Sequence, residues 1–287
     1  QWQSTIATYA APIIGSMDVA TIATDEIMRV LLPIWTSKNE TASRLRGRIE
    51  SILDWCRVQG FRTGDNPARW KGHLDKLLPK PSKVQRVEHH PALPWREIGT
   101  FMQALRAMPG TAARAVELII LTACRTSEAF NADWCEIDLA QRTWTIPAER
   151  MKVGREHAIP LSDATVSVLQ TQAAAHGDKG YIFPGIKPGA PLSNMAGLAL
   201  IKRMGRADLT VHGFRSTFRD WAGESSNHPR EVIEHALAHK LKDKAEASYA
   251  RGTLFEKRRA LMADWAAHCD TVQAPADVVP IRSAREA

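Results

Sequence analysis

The chain has 287 residues, 44% of them hydrophobic, which is room for one or two packed domains. No apolar run approaches the roughly 18 residues that cross a bilayer, and no basic leader followed by an apolar stretch opens the sequence, so membrane and secreted classes give way to a soluble, cytoplasmic protein. The formal net charge is +7, and residues 1–86 hold 13 Lys+Arg against 8 Asp+Glu, so a polyanionic partner is expected, with nucleic acid the commonest. The segment up to about Leu78 reads as helices. Thr24 is a candidate N-cap for "DEIMRVLLPIW". Asn39 or Thr41 is the candidate cap for "ETASRLRGRIESILDWCRVQG", where Leu45, Ile49, Ile52, Leu53 and Cys56 form an apolar stripe and Gly60 can end the helix. Arg44, Arg46, Arg48 and Arg57 decorate that helix, either as a solvated surface or as phosphate contacts.

Leu78 to Trp95, "LPKPSKVQRVEHHPALPW", holds four prolines and several basic residues with little periodicity, the signature of a linker. Lys80, Lys83 and Arg86 could follow a nucleic-acid backbone there. Beyond it, "PWREIGTFMQALRAMPG" reads as an amphipathic helix from a proline to Gly110, and "TAARAVELIILTAC", interrupted only by Glu117, as a buried helix. "RTWTIPA" and "EHAIPLS" read as a hairpin with Lys152 in or beside its turn. "SNMAGLALIKRMG", "HGFRSTFRDWAGES", "PREVIEHALAHK" and "FEKRRALMADWAAHC" read as helices, and 271–287 as a patternless tail. The expected domains are therefore 1–80, a linker 81–94, and 95–270. Cys56, Cys124, Cys135 and Cys269 lie far apart without a CxxC pair and read as reduced thiols. His89-His90 is a weak metal lead, because no acidic or cysteine partner sits at ligand spacing.

Five words in the second half carry chemistry: "CRTSEA", "ERMKVGRE", "HGFR", "LAHK" and "SYARG". Each has a plain structural reading. Arg125 could pair with Glu128, Lys152 could be a solvated turn residue, and His239 could sit on a helix dipole. His212 and Arg215 share a helical face by spacing alone, and Tyr249 could be half-buried packing. Trp265 reads as packing.

Taken together, Arg125, hairpin Lys152, His212-x-x-Arg215, His239 and Tyr249 ten residues on resemble the tyrosine recombinase (phage integrase) family, prophage and genomic-island type. The resemblance covers Trp95 to about Cys269 closely and Gln1 to Leu78 more loosely. It implies a mainly α fold: a helical core-binding domain, and a mostly helical catalytic domain with a small β-hairpin or antiparallel sheet. It also implies an N-terminal arm-binding domain that this sequence, which starts at Gln1 rather than Met, does not contain.

The resemblance further implies a site-specific recombinase that needs no metal or cofactor. Tyr249 would attack a backbone phosphate to give a 3′-phosphotyrosine. Arg125 and Arg215 would grip the non-bridging oxygens and Lys152 would protonate the leaving 5′-oxygen. His212 would serve as base and His239 as a phosphate donor, with Glu128 orienting an arginine. The implied partners are double-stranded DNA attachment sites, with a homotetramer on DNA, a monomer when free, and accessory DNA-bending or directionality proteins. Leu254 to Cys269 would pack on a neighbouring protomer or within its own subunit. The alternatives are a catalytically silent DNA-binding module, a type IB topoisomerase and a metal-dependent nuclease. The complete six-residue set weighs against the first, the prophage-like wording against the second, and the lack of paired carboxylates against the third.

Overall fold

The computed structural model describes residues 2–84, 91–152, 154–239 and 252–272, in two compact units, Gln1–His89 and His90–Ala287. Among the described residues no helix is long and apolar enough to cross a membrane. Both units are mostly helical, and the one sheet lies in the second.

In the first unit, α1 (Trp2–Thr5) and α2 (Ala11–Ile14) are joined by a π-helical turn, Ile6–Ala10. Helices α3 (Thr24–Trp35) and α4 (Asn39–Val58) follow, and α5 (Pro81–Val84) closes the described part. The core is built from Ile27, Leu31 and Trp35 of α3, Leu45 and Leu53 of α4, and Leu74. Trp35 stacks on Trp70 at 5.6 Å between ring centroids and donates from Nε1 to the Pro79 carbonyl.

The helix starts differ from the sequence expectation. Thr24 is the first residue of α3 rather than its cap, because its hydroxyl is engaged with His73 Nε2 at 2.9 Å. The helix is closed instead by Glu26, whose carboxylate accepts the Ala23 N–H at 3.0 Å. Asn39 is likewise inside α4. Its amide donates back to the Trp35 carbonyl at 2.8 Å, tying the two helices together. The C-terminus of α4 is as expected: Gly60 takes φ +76°, the Gly60 N–H reaches Arg57 O, and the Phe61 N–H reaches Cys56 O. The stripe is buried except for Ile52, which is exposed.

The second unit begins with a 3₁₀ turn, Trp95–Glu97, leading into α6 (Ile98–Ala107). Gly110 does not end that helix. At φ +93° it caps α7 (Thr111–Thr122), the central helix, in which every residue from Ala115 to Thr122 is buried. Buried Glu117 is paired with Arg106 at 2.6 Å and Arg114 at 2.7 Å, so the acidic interruption of the apolar run is neutralised in place. Short α8 (Thr126–Phe130) follows.

The sheet has three antiparallel strands in the order β1 (Ile137–Asp138), β2 (Thr143–Ile146), β3 (His157–Pro160). Trp144 lies opposite Ile159 and Ile146 opposite His157, with Trp144 and Ile146 turned to the core. The hairpin was expected; β1 was not. Helix α9 (Asp163–His176) was also not anticipated. Helices α10 (Ala196–Arg203), α11 (Gly213–Ser225), α12 (Arg230–Ala236) and α13 (Phe255–Asp270) follow among the described residues of the unit.

Helix α13 packs within its own unit. Trp265 is fully buried, donates to Ile120 O at 2.7 Å and meets Trp221 and Phe218. Leu261, Met262 and Cys269 join the same core. At the other end of the unit, Leu93 is buried in this core. The Thr217 hydroxyl donates to Leu93 O at 2.7 Å, and a Cβ on Gly213 would stand 2.2 Å from Pro91 O. Residues Pro91 to Leu93, which the composition places in the linker, are thus packed along α11.

Candidate active site

Helix α7 ends at Ala123 in a left-handed conformation, φ +49°, and Arg125 follows at the start of α8. Glu128, one turn into α8 and buried, accepts both the Arg125 N–H and its Nη1, each at 2.7 Å. The structural pairing foreseen for Arg125 and Glu128 is therefore present. Arg215 projects from the first turn of α11 and is 6% exposed.

The two arginines cross-brace the site. Arg215 Nη1 donates to Ala123 O, beside Arg125, and its Nη2 to Leu237 O at 2.7 Å. Arg125 Nη2 donates to Ala238 O at 3.2 Å. Ala238 is itself left-handed, φ +48°. Non-glycine residues in that region carry strain on the order of 1–3 kcal/mol, and such strain gathers at functional sites. Here two of them present their carbonyls to the two guanidiniums. Burial, reinforced by the nearby Arg125 charge, lowers the Arg215 pKa to about 10, so Arg215 remains cationic at neutral pH.

His239 completes the cluster. Its Nε2 lies 3.4 Å from Arg215 Nη2 and its Nδ1 2.6 Å from Glu234 Oε2. The structure thus brings Arg125, Glu128, Arg215 and His239 together. His212 stands exposed at the residue before α11, and Lys152 is exposed in the β2–β3 connection. That connection is anchored by Arg150, which donates to Glu128 O at 2.6 Å and pairs with Glu136. Tyr249 and Arg86 lie outside the described residues, as do His89 and His90. Among the described residues no group of three His, Cys, Asp or Glu side chains could hold a metal ion. All four cysteines are free. Burial pushes the Cys124 thiol up to about 12, so it is not a competing nucleophile beside Arg125.

In the first unit the basic candidates divide. Arg44 is exposed and paired with Glu40, and Lys80 and Lys83 are exposed. Arg46 is occupied by Glu50, Ala68 O and the Trp70 face, and Arg48 by Thr5 and the Trp2 face.

Residues the sequence reading passed over include Glu234, Arg219, Arg258 and His157. Buried Arg258, on α13, donates to Ala158 O at 2.6 Å and to Thr253 O at 2.9 Å, joining β3 to the chain that leads into α13. His157 of β3 lies among these groups. Burial first, then the Arg258 charge, lowers its pKa to about 4, against smaller opposing effects of Glu128 and the Ala236 backbone. Its folded pKa is thus below the ordinary 6.5, so the neutral-His contribution is fully present above pH 6.5 and is lost as pH falls toward 4. The span corresponds to at most about 3 kcal/mol. The urea midpoint of the parent is expected to fall more steeply between pH 6.5 and 4 than that of His157→Gln; parallel curves would refute this.

Paired arginines present two donor forks that match the oxygens of carboxylate and phosphate groups. The arrangement has the donors to hold an oxyanion such as a phosphate. The profile described as the Phage integrase family matches residues 92–253, and that of the phage integrase central domain matches residues 1–73. The chain belongs to the phage integrase family. It is 34% identical to prophage integrase IntZ of Escherichia coli K12 over 265 residues, covering 92% of this chain and 64% of that protein. It is 30% identical to the integrase of Enterobacteria phage P4, covering 91% and 62%. The chain therefore spans less than two thirds of the length of these relatives. Its fold is similar to that of a lambda integrase(75–356) dimer bound to a COC′ core site, with TM-score 0.63, 20% identity, and 88% and 87% of the two chains covered.

Proposed function

We propose that this chain is the DNA-binding and catalytic portion of a site-specific recombinase that cuts and rejoins DNA through a 3′-phosphotyrosine, integrating or excising a mobile element. The observation that carries the reading is the meeting of Arg125 and Arg215 at residues 237–239, with His239 beside Arg215, in a chain of this family. Arg125 and Arg215 hold the non-bridging oxygens of the scissile phosphate and stabilise the charge that builds as the phosphorane forms. Tyr249 is the nucleophile, and its bond to phosphorus keeps the energy needed to rejoin. Lys152, on the hairpin, gives its proton to the departing 5′-oxygen. His212 takes the phenolic proton, since an ordinary phenol, with pKa near 10, is mostly protonated at neutral pH. Glu128 orients Arg125.

In this reading residues 1–80 are the core-binding domain, 81–94 the linker, 95–270 the catalytic domain and 271–287 a tail. Phosphate contacts supply most of the affinity. The exposed Arg44, Lys80 and Lys83 and the undescribed Arg86 suit that work better than Arg46 and Arg48, whose guanidiniums already serve the fold. Double-stranded attachment sites are the partners, with four protomers assembled on two of them and accessory DNA-bending or directionality proteins setting direction. A lambda integrase tetramer bound to a Holliday junction, with TM-score 0.61 and 19% identity to this chain, supports such an assembly. No metal or cofactor takes part.

The test is a nicked duplex spanning the end junction of the element that encodes the chain, incubated with protein in chelator. An SDS-resistant protein–DNA band is expected. Binding without a band would favour the silent DNA-binding alternative.

A further inference from the structure

The roles above leave Glu234 unused. It projects from α12 with its side chain 15% exposed, and both oxygens are engaged. Oε2 lies 2.6 Å from His239 Nδ1, while Oε1 accepts Arg219 Nε and Nη2 at 3.1 and 3.0 Å. The backbone closes the same unit, with the His239 N–H donating to Glu234 O at 3.0 Å. Burial would raise the Glu234 pKa, but His239 and Arg219 outweigh it and hold the carboxyl below its ordinary range, so it is ionised at neutral pH.

An ionised carboxylate can only accept, so Nδ1 carries its proton toward Glu234. That fixes the tautomer. Nε2 is the atom left on the other side of the ring, next to Arg215 Nη2. We propose that Glu234 is a positioning residue for phosphoryl transfer: it sets the ring orientation and tautomer of His239, so that Nε2 accepts from Arg215 Nη2 and holds that fork toward the scissile phosphate, and Arg219 in turn fixes Glu234. The inference rests on the recombinase reading. As a surface ion pair alone, Glu234 with the half-exposed Arg219 would contribute little to stability. Orienting carboxylates behind a working histidine have larger effects, through the histidine.

Gln at this position keeps the shape but reverses the hydrogen bond. Arg219 draws the amide oxygen, so the NH₂ turns to Nδ1, which must then accept, and Nε2 carries its hydrogen against the Arg215 donor. The experiment measures single-turnover adduct formation on the nicked duplex at saturating protein for the parent, Glu234→Gln, His239→Ala and the double variant, with DNA Kd and Tm alongside. Glu234→Gln is expected to slow cleavage about 10–100-fold with Kd and Tm near the parent's, and to add nothing in the His239→Ala background. In DNA-free protein, ¹⁵N shifts of His239 are expected to show a protonated Nδ1 in the parent and a reversed tautomer in Glu234→Gln.

A parent-like rate for Glu234→Gln, losses that multiply in the double variant, or an unprotonated Nδ1 in the parent would each overturn the proposal. Absence of any adduct with the parent would count against the recombinase reading instead. The nitrogen shifts would still decide whether Glu234 holds the ring.

Discussion

Tyr249→Phe is expected to bind duplex DNA as tightly as the parent and to form no covalent adduct. The substitution removes one oxygen. It leaves untouched the groups that supply affinity, namely the exposed cations of the first unit and the Arg125–Arg215 pair. In the proposed mechanism it takes away the atom that becomes the protein's half of the phosphodiester. The loss is therefore total rather than graded: no arrangement of the remaining donors can store the bond energy that a second strand must recover. A gel of SDS-treated reactions reads the adduct and a titration reads the affinity. Tyr249 lies outside the described residues, so the expectation rests on its place ten residues beyond His239 and on the arginine cluster beside His239. An adduct formed by Tyr249→Phe would assign the nucleophile elsewhere.

Arg215→Ala has the second largest expected effect, a loss on the order of 10²–10³ in cleavage rate, as when a transition-state donor is removed. Two consequences oppose each other in stability. The carbonyls of Ala123 and Leu237 lose their donors, at about 1–3 kcal/mol each if they stay dry. Against this, a buried cation held below its ordinary pKa is no longer there to be desolvated. The net change in Tm is expected to be small beside the change in rate. Arg215→Lys should recover little, because one ammonium cannot serve two carbonyls and a phosphate with the geometry of the fork. A Lys variant cleaving within a few-fold of the parent would show that charge alone is required at this position.

The candidate residues could be named from the chain because the chemistry demands particular side chains in a fixed order, and order survives in a sequence. Arg125, Arg215 and His239 stand together as that order implied. What could not be read is how they are held. Ala123 and Ala238 are ordinary alanines on paper, and nothing in their identity announces a left-handed backbone. Glu234 stands five residues before His239 and Arg219 fifteen before Glu234, spacings with no periodic signal. Helix α9 was missed for a related reason. Its buried positions, Thr165, Val168, Leu169 and Gln172, mix polar with apolar residues and blur the stripe. The N-caps of α3 and α4 were misplaced because the residues that resemble caps are engaged with His73 and Trp35.

The contact between Pro91 and Gly213 bears on where the chain can be cut. The proline-rich stretch invites trimming at Trp95, but a fragment starting there would lose Leu93 from the core and leave the Thr217 hydroxyl without its Leu93 acceptor. It would also uncover the face of α11 next to His212. A fragment that begins ahead of Pro91 keeps all three. The shorter piece is expected to be cleaved faster by protease and to melt at lower temperature, although the two differ by only a few residues that composition alone assigns to a tether.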